Sequence, residues 1–197
     1  PYTTLFRSRL MHYDYWKEKL EPSILISSGA DLLIYGMAER TVTMLARRLL
    51  AGENFREIHD LPQSAYTVSS ATTLPPFQGA TDKALRPCNE ALASKKIYAE
   101  NFVLFEKTSN SMKAVRLTEQ CGDVTVVVNP PLPPATVAET DAVYELPFNY
   151  APHPRYENKG PIPAWEMIKF SVNIHRGCFG GCSFCAIAAH QGKFISS

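Results

Sequence analysis

Cys178, Cys182 and Cys185 form a Cys-x₃-Cys-x₂-Cys run, Cys178-Phe-Gly-Gly-Cys182-Ser-Phe-Cys185. Thiolates are soft ligands that select iron–sulfur clusters or zinc over hard cations. Three of them can hold three irons of a cubane cluster and leave the fourth iron without a protein ligand. Such an open iron is where a reactive small molecule could bind the metal directly. Gly177, Gly180 and Gly181 let the backbone turn tightly and bring N–H groups toward inorganic sulfide. Phe179 and Phe184 are expected to shield the metal from water. His190 offers a fourth ligand, and Cys178, Cys182, Cys185 and His190 could instead close around zinc in a non-catalytic binding module. A third reading leaves the cysteines as packed, unliganded thiols, and their spacing among glycines argues against it.

Other elements must position this run. Residues 167–174 read as a strand leading straight into it, with Phe170, Val172 and Ile174 on one face. The chain is expected to turn helical from about Ser183. A functional loop after a parallel strand is the placement of a barrel or an open α/β sheet. Upstream, residues 31–36 predict a short strand ending in Gly36, and residues 38–51 a helix stopped by Gly52. Strand, glycine turn and helix make half of an α/β unit, so the fold class is α/β. Residues 12–20 read as a short aromatic helix ended by Pro22, and residues 83–105 as a long helix. Strands are expected over 65–69, 114–118 and 124–128, with a tight hairpin at Cys121-Gly122-Asp123. A further helix is expected over 136–146. Pro147, Pro152, Pro154, Pro161 and Pro163 mark residues 147–163 as a linker between an N-terminal domain, 9–146, and a new domain from 164. Tyr13, Tyr15 and Trp16 are expected to pack in a core or between domains. Cys88 and Cys121, apart from the run, are expected to be small buried hydrophobes.

Composition narrows the classes. The chain has 197 residues, 45% apolar and 20% charged, which suits a water-exposed globular protein. A formal charge of +1 and the lack of a dense basic stripe give no reason to expect a nucleic acid partner. No apolar run nears the roughly 18 residues of a membrane span. Three clustered cysteines without a disulfide framework point to metal or redox chemistry in the cytoplasm. Pro1-Tyr-Thr-Thr-Leu-Phe-Arg-Ser8 reads as a translated adapter or assembly artefact, and the chain as a fragment of a longer protein.

The cysteine run, with an aromatic residue before its last Cys, resembles the signature of radical S-adenosylmethionine (SAM) enzymes. The likeness extends through Met11-His-Tyr-Asp-Tyr-Trp16, Ala30-Asp-Leu-Leu-Ile-Tyr-Gly36, Asn129-Pro-Pro131 and residues 162–185, and these together resemble the YgiQ-like family. The resemblance implies a [4Fe–4S] cluster on Cys178, Cys182 and Cys185, with SAM on the open iron. It places Phe184, Gly180 and Gly181 at the SAM site. It implies reductive cleavage of SAM to a 5′-deoxyadenosyl radical that acts on a substrate the sequence does not name. An electron donor such as flavodoxin or ferredoxin would be a partner. It further implies the C-terminal part of a Rossmann/cobalamin-binding-like domain, followed by the first strand and cluster loop of a partial (β/α) barrel. No Asp-x-His-x-x-Gly pattern supplies a cobalt ligand, so cobalamin stays an analogy of fold.

Overall fold

Val124–Val128 (β7) is the strand around which the first unit is built. Val126 and Val127 have no exposed surface, and hydrogen-bonded neighbours flank the strand on both edges. A run of β-branched residues suits a strand buried on both faces. The structure is a computed structural model that describes residues 9–197 except Asn110 and Ser183. The artefact expected at 1–8 and the helix start expected at Ser183 lie outside the described residues. The chain divides into two units, described separately: residues 9–133 with 177–194, and residues 134–176 with 195–197.

In the first unit, His12–Asp14 (β1) and Lys19–Glu21 (β2) form an antiparallel hairpin. A mixed sheet follows, built from Leu32–Ile34 (β3), Ser64–Ser69 (β4), Thr81–Ala84 (β5), Val115–Cys121 (β6) and β7. Its order is β3-β4-β7-β6-β5. Only β5 and β6 run parallel; the other neighbouring pairs are antiparallel. The helices are Ile24–Ser28 (α1), Glu39–Leu50 (α2), Cys88–Ala93 (α3), Lys95–Ser109 (α4) and, after the cysteine run, Ile187–Gln191 (α7). Leu25 of α1 and Phe105 of α4 pack on Ala65, Leu117, Val126 and Val128 of the sheet, with Leu10 and Leu85 in the same core. Asn129 continues β7 and holds the 59–64 loop, its Nδ2 donating to the His59 and Leu61 carbonyls at 2.9 and 2.8 Å.

Much of the α/β pattern matches expectation: β3, α2, β4, and the β6–β7 hairpin turning at Gly122. So does Val137–Tyr144 (α5) in the second unit, where Thr136 and Glu139 form a reciprocal cap. Four expectations fail. Residues 12–20 form a hairpin, because Asp14 Oδ1 accepts from the Trp16 and Lys17 amides and turns the chain. Tyr13, Tyr15 and Trp16 stand exposed there rather than packed, Trp16 at 75%. The long helix over 83–105 is instead β5, α3 and α4. Leu85 N–H donates to the Thr118 carbonyl, buried Asn101 clamps Arg86 from both its amide and its carbonyl, and Pro87 follows. Ser94, in extended backbone, then separates the two helices.

The third failure is the strand over 167–174. Pro163–Ile168 (α6) is helical and no strand forms over the six residues after it. Phe170 is 89% exposed, and Val172 and Ile174 are exposed too. Alternation makes a strand only where a neighbouring backbone accepts its hydrogen bonds, and among the described residues none lies alongside. Fourth, Cys88 and Cys121 are joined in a disulfide. Sequence shows neither partner, since β6 and α3 come together only through the parallel β5–β6 pairing. Closing a loop of sequence separation 33 constrains the unfolded chain by on the order of 3–4 kcal/mol.

Glu119, on β6, is almost fully buried and accepts the Met11 N–H at 2.8 Å. Burial pushes its carboxyl up from 4.5 to about 7, against the smaller opposing effect of that hydrogen bond. The folded chain therefore binds more protons than the unfolded one between those values, and stability falls as pH rises across that window. His12, lowered by burial, has the opposite slope, so only a difference between variants isolates Glu119. Melting temperatures of parent and Glu119→Gln at about pH 5 and about pH 8 provide the check. The parent should lose more stability than the variant on going to the higher pH, by on the order of 3 kcal/mol.

Candidate metal centre

The loop that carries the three thiols is closed by backbone. In the second unit, Arg176 and Ser196 exchange two hydrogen bonds, 2.8 and 3.0 Å, as an antiparallel bridge. Within the first unit, Cys178 N–H donates to the Gly192 carbonyl at 3.0 Å, and Gly177 N–H to Gln191 Oε1 at 3.1 Å. Gly177 makes this closure possible. Its φ is +91°, and a Cβ there would overlap the Phe194 carbonyl oxygen.

Gly180 lies beside two of the thiols. A Cβ on it would lie 3.2 Å from Cys178 Sγ and 3.9 Å from Cys182 Sγ. Two sulfurs thus lie close to the point that a side chain would occupy, and the glycine leaves that point open. Cys185 follows in a turn, its N–H donating to the Cys182 carbonyl at 3.1 Å. All three thiols are free; Cys182 is exposed, and Cys178 and Cys185 are half-buried. Three unpaired, reachable thiols around a glycine cradle are a donor set suited to iron–sulfur ligation.

The other expected residues are distributed as follows. Gly181 has no heavy atom within reach of an added Cβ. Phe184 is 91% exposed, and Phe179 is exposed as well, so neither ring covers the thiols. His190 is exposed on α7. Among the described residues no group of three or more His, Cys, Asp and Glu is placed to hold a metal ion. In the second unit Arg176 Nε donates to Tyr144 Oη at 3.2 Å, and its guanidinium lies over that ring at 5.2 Å. Gln191 and Gly192, which fasten the base of the loop, are not among the residues the sequence pattern marks. Gly192, directly after a helical pattern, was the available signal.

Titration of the oxidised protein with a chromogenic aromatic disulfide should count three thiols per chain, with Cys182 reacting first. Gly177→Ala should destabilise the loop by about 1–3 kcal/mol and bring Cys178 and Cys185 to the rate of Cys182. Unchanged rates would show that the glycine does not set the loop.

The family model described as "Radical SAM N-terminal" matches residues 6–171. A UPF0313 protein of Porphyromonas gingivalis is 51% identical over 189 residues, covering 96% of this chain and 29% of that protein. One from Bacteroides thetaiotaomicron is 49% identical over 200 residues, covering 96% and 32%. One from Geobacter sulfurreducens is 46% identical over 189 residues, covering 96% and 30%. The chain thus spans about a third or less of the length of these relatives. No solved structure matches it.

Proposed function

The chain belongs to the radical SAM N-terminal family, consistent with the N-terminal region of a YgiQ-like protein, and on that premise we propose that it carries the cluster loop of a radical SAM enzyme. Cys178, Cys182 and Cys185 would ligate a [4Fe–4S] cluster. The observation that supports this most is the pair of thiols close to the open point at Gly180. When bound, the cluster and SAM together supply a carbon-centred radical by reductive cleavage of the sulfonium, for hydrogen abstraction from a substrate.

The chain's own residues do the holding. Gly177, with the Gly192 carbonyl, fixes the Cys178 backbone, and the turn from Cys182 to Cys185 sets the spacing of the last two thiols. Gly180 and Gly181 leave backbone N–H groups open to inorganic sulfide or SAM. Phe184, with most of its ring exposed, offers a flat apolar face to the adenine. We further read residues 9–146 as the C-terminal part of a Rossmann/cobalamin-binding-like domain; the β3–Gly36–α2 passage fits that reading, while the antiparallel pairing of β3, β4, β7 and β6 departs from its parallel sheet. Residues 147–163 would be its linker, and residues 164–197 the start of the radical SAM core. The setting would be cytoplasmic, with flavodoxin or ferredoxin as electron donor. Among the described residues no helix is long and apolar enough to cross a membrane.

Anaerobic reconstitution with iron and sulfide should give broad visible absorption and several irons and acid-labile sulfides per chain. Cys178→Ala, Cys182→Ala and Cys185→Ala should each remove most of both, while His190→Ala leaves them unchanged. One tightly bound zinc without sulfide, lost in His190→Ala, would replace this reading with the Cys₃His module.

A further inference from the structure

The Cys88–Cys121 disulfide lies where the N-terminal segment is seated. Met11 is buried against Cys88 and Ala91, with Ile97, Tyr98 and Cys121 packed around them. Its N–H donates to Glu119 at 2.8 Å, and Glu119 and Cys121 project from the same face of β6, two residues apart. The next residue, His12, begins the β1–β2 hairpin, which presents Tyr13 from its first strand and Tyr15 and Trp16 from its turn to solvent. One cluster therefore joins three things: the disulfide, the hydrogen bond from the Met11 N–H to Glu119 on β6, and the base of an aromatic hairpin.

We propose that Cys88 and Cys121 form a reversible redox latch that fastens the aromatic β1–β2 hairpin to the sheet through Met11 and Glu119. A disulfide in a cytoplasmic protein is more often redox-sensing than structural, so this inference rests on the cytoplasmic setting proposed above but not on the cluster. The two sulfurs differ in access: Cys88 is buried and Cys121 half-buried. A thiolate of a small thiol such as glutathione attacks Sγ of Cys121, the S–S bond breaks, and Cys88 leaves as thiolate and takes a proton from solvent. A second thiol displaces the first from Cys121. Two electrons and two protons yield two cysteine thiols, and the reductant becomes its own disulfide. Without the bond, α3 is no longer tied to the end of β6, and the wall against which Met11 packs can move away.

The full chain would be equilibrated in glutathione buffers from reduced to oxidised, then split between two readouts. Alkylation and peptide mapping should show a Cys88–Cys121-linked peptide that forms and disappears reversibly. Hydrogen exchange at residues 9–21 should be about tenfold faster when the pair is reduced, with β4 and β7 equally protected in both states. Cys88→Ala combined with Cys121→Ala should exchange at the fast rate in every buffer. The proposal is overturned by a pair that never links, by one that glutathione never opens, or by identical hairpin exchange in both states. Loss of protection across β4 and β7 on reduction would also overturn it, because the bond would then hold the whole unit and not the hairpin.

Discussion

The hydrogen bonding of β7 on both edges is the constraint on which the first unit depends. A strand with no exposed surface at Val126 and Val127 must have every N–H and C=O paired within the protein. β4 and β6 meet that demand. From β4 the sheet reaches β3 and the turn into α2, while β6 brings β5 alongside in parallel and carries Glu119 and Cys121 to the helical side. Asn129, the residue after the strand, extends the same control to the 59–64 loop. The apolar faces of α1 and α4 then have one continuous surface to cover.

The cysteine loop obeys a different logic, in which small residues count more than apolar ones. Gly177 adopts a backbone conformation and an approach to Phe194 that a side chain would forbid. Gly180 keeps open a point that two sulfurs lie close to. The bond from the Cys178 N–H to the Gly192 carbonyl closes the base. None of this buries much apolar surface, and Phe179 and Phe184 remain exposed. Reach for the thiols and freedom at the glycines, rather than a packed core, make the loop a candidate cofactor site.

How legible these features were follows from their range. The β6–β7 hairpin and α5 depend on neighbours in sequence: a Gly-Asp turn between two strand-like runs, and a Thr-x-x-Glu cap. Over 12–21 the aromatic spacing suits a short helix, while the Asp14 side chain turns the backbone into a hairpin instead. The break at 85–94 depends on Asn101 and Thr118, residues distant in sequence. Residues 167–174 have the alternation of a strand without a neighbour to pair with. The Cys88–Cys121 bond is the clearest long-range case, since only the sheet order brings the two together. At the site, the three thiols and the glycines were legible because ligand type and spacing are local. The fastening by Gln191 and Gly192 required the loop to be seen closed.

The central claim is that three thiolates hold a cubane whose fourth iron is open to SAM. The Mössbauer spectrum of the anaerobically reconstituted chain, prepared with enriched iron and recorded with and without SAM, tests it most directly. The account predicts cubane iron of which one site in each cluster shifts when SAM is added, the other three staying in place. A spectrum with no cubane component, or a cubane in which SAM moves no iron, would contradict it.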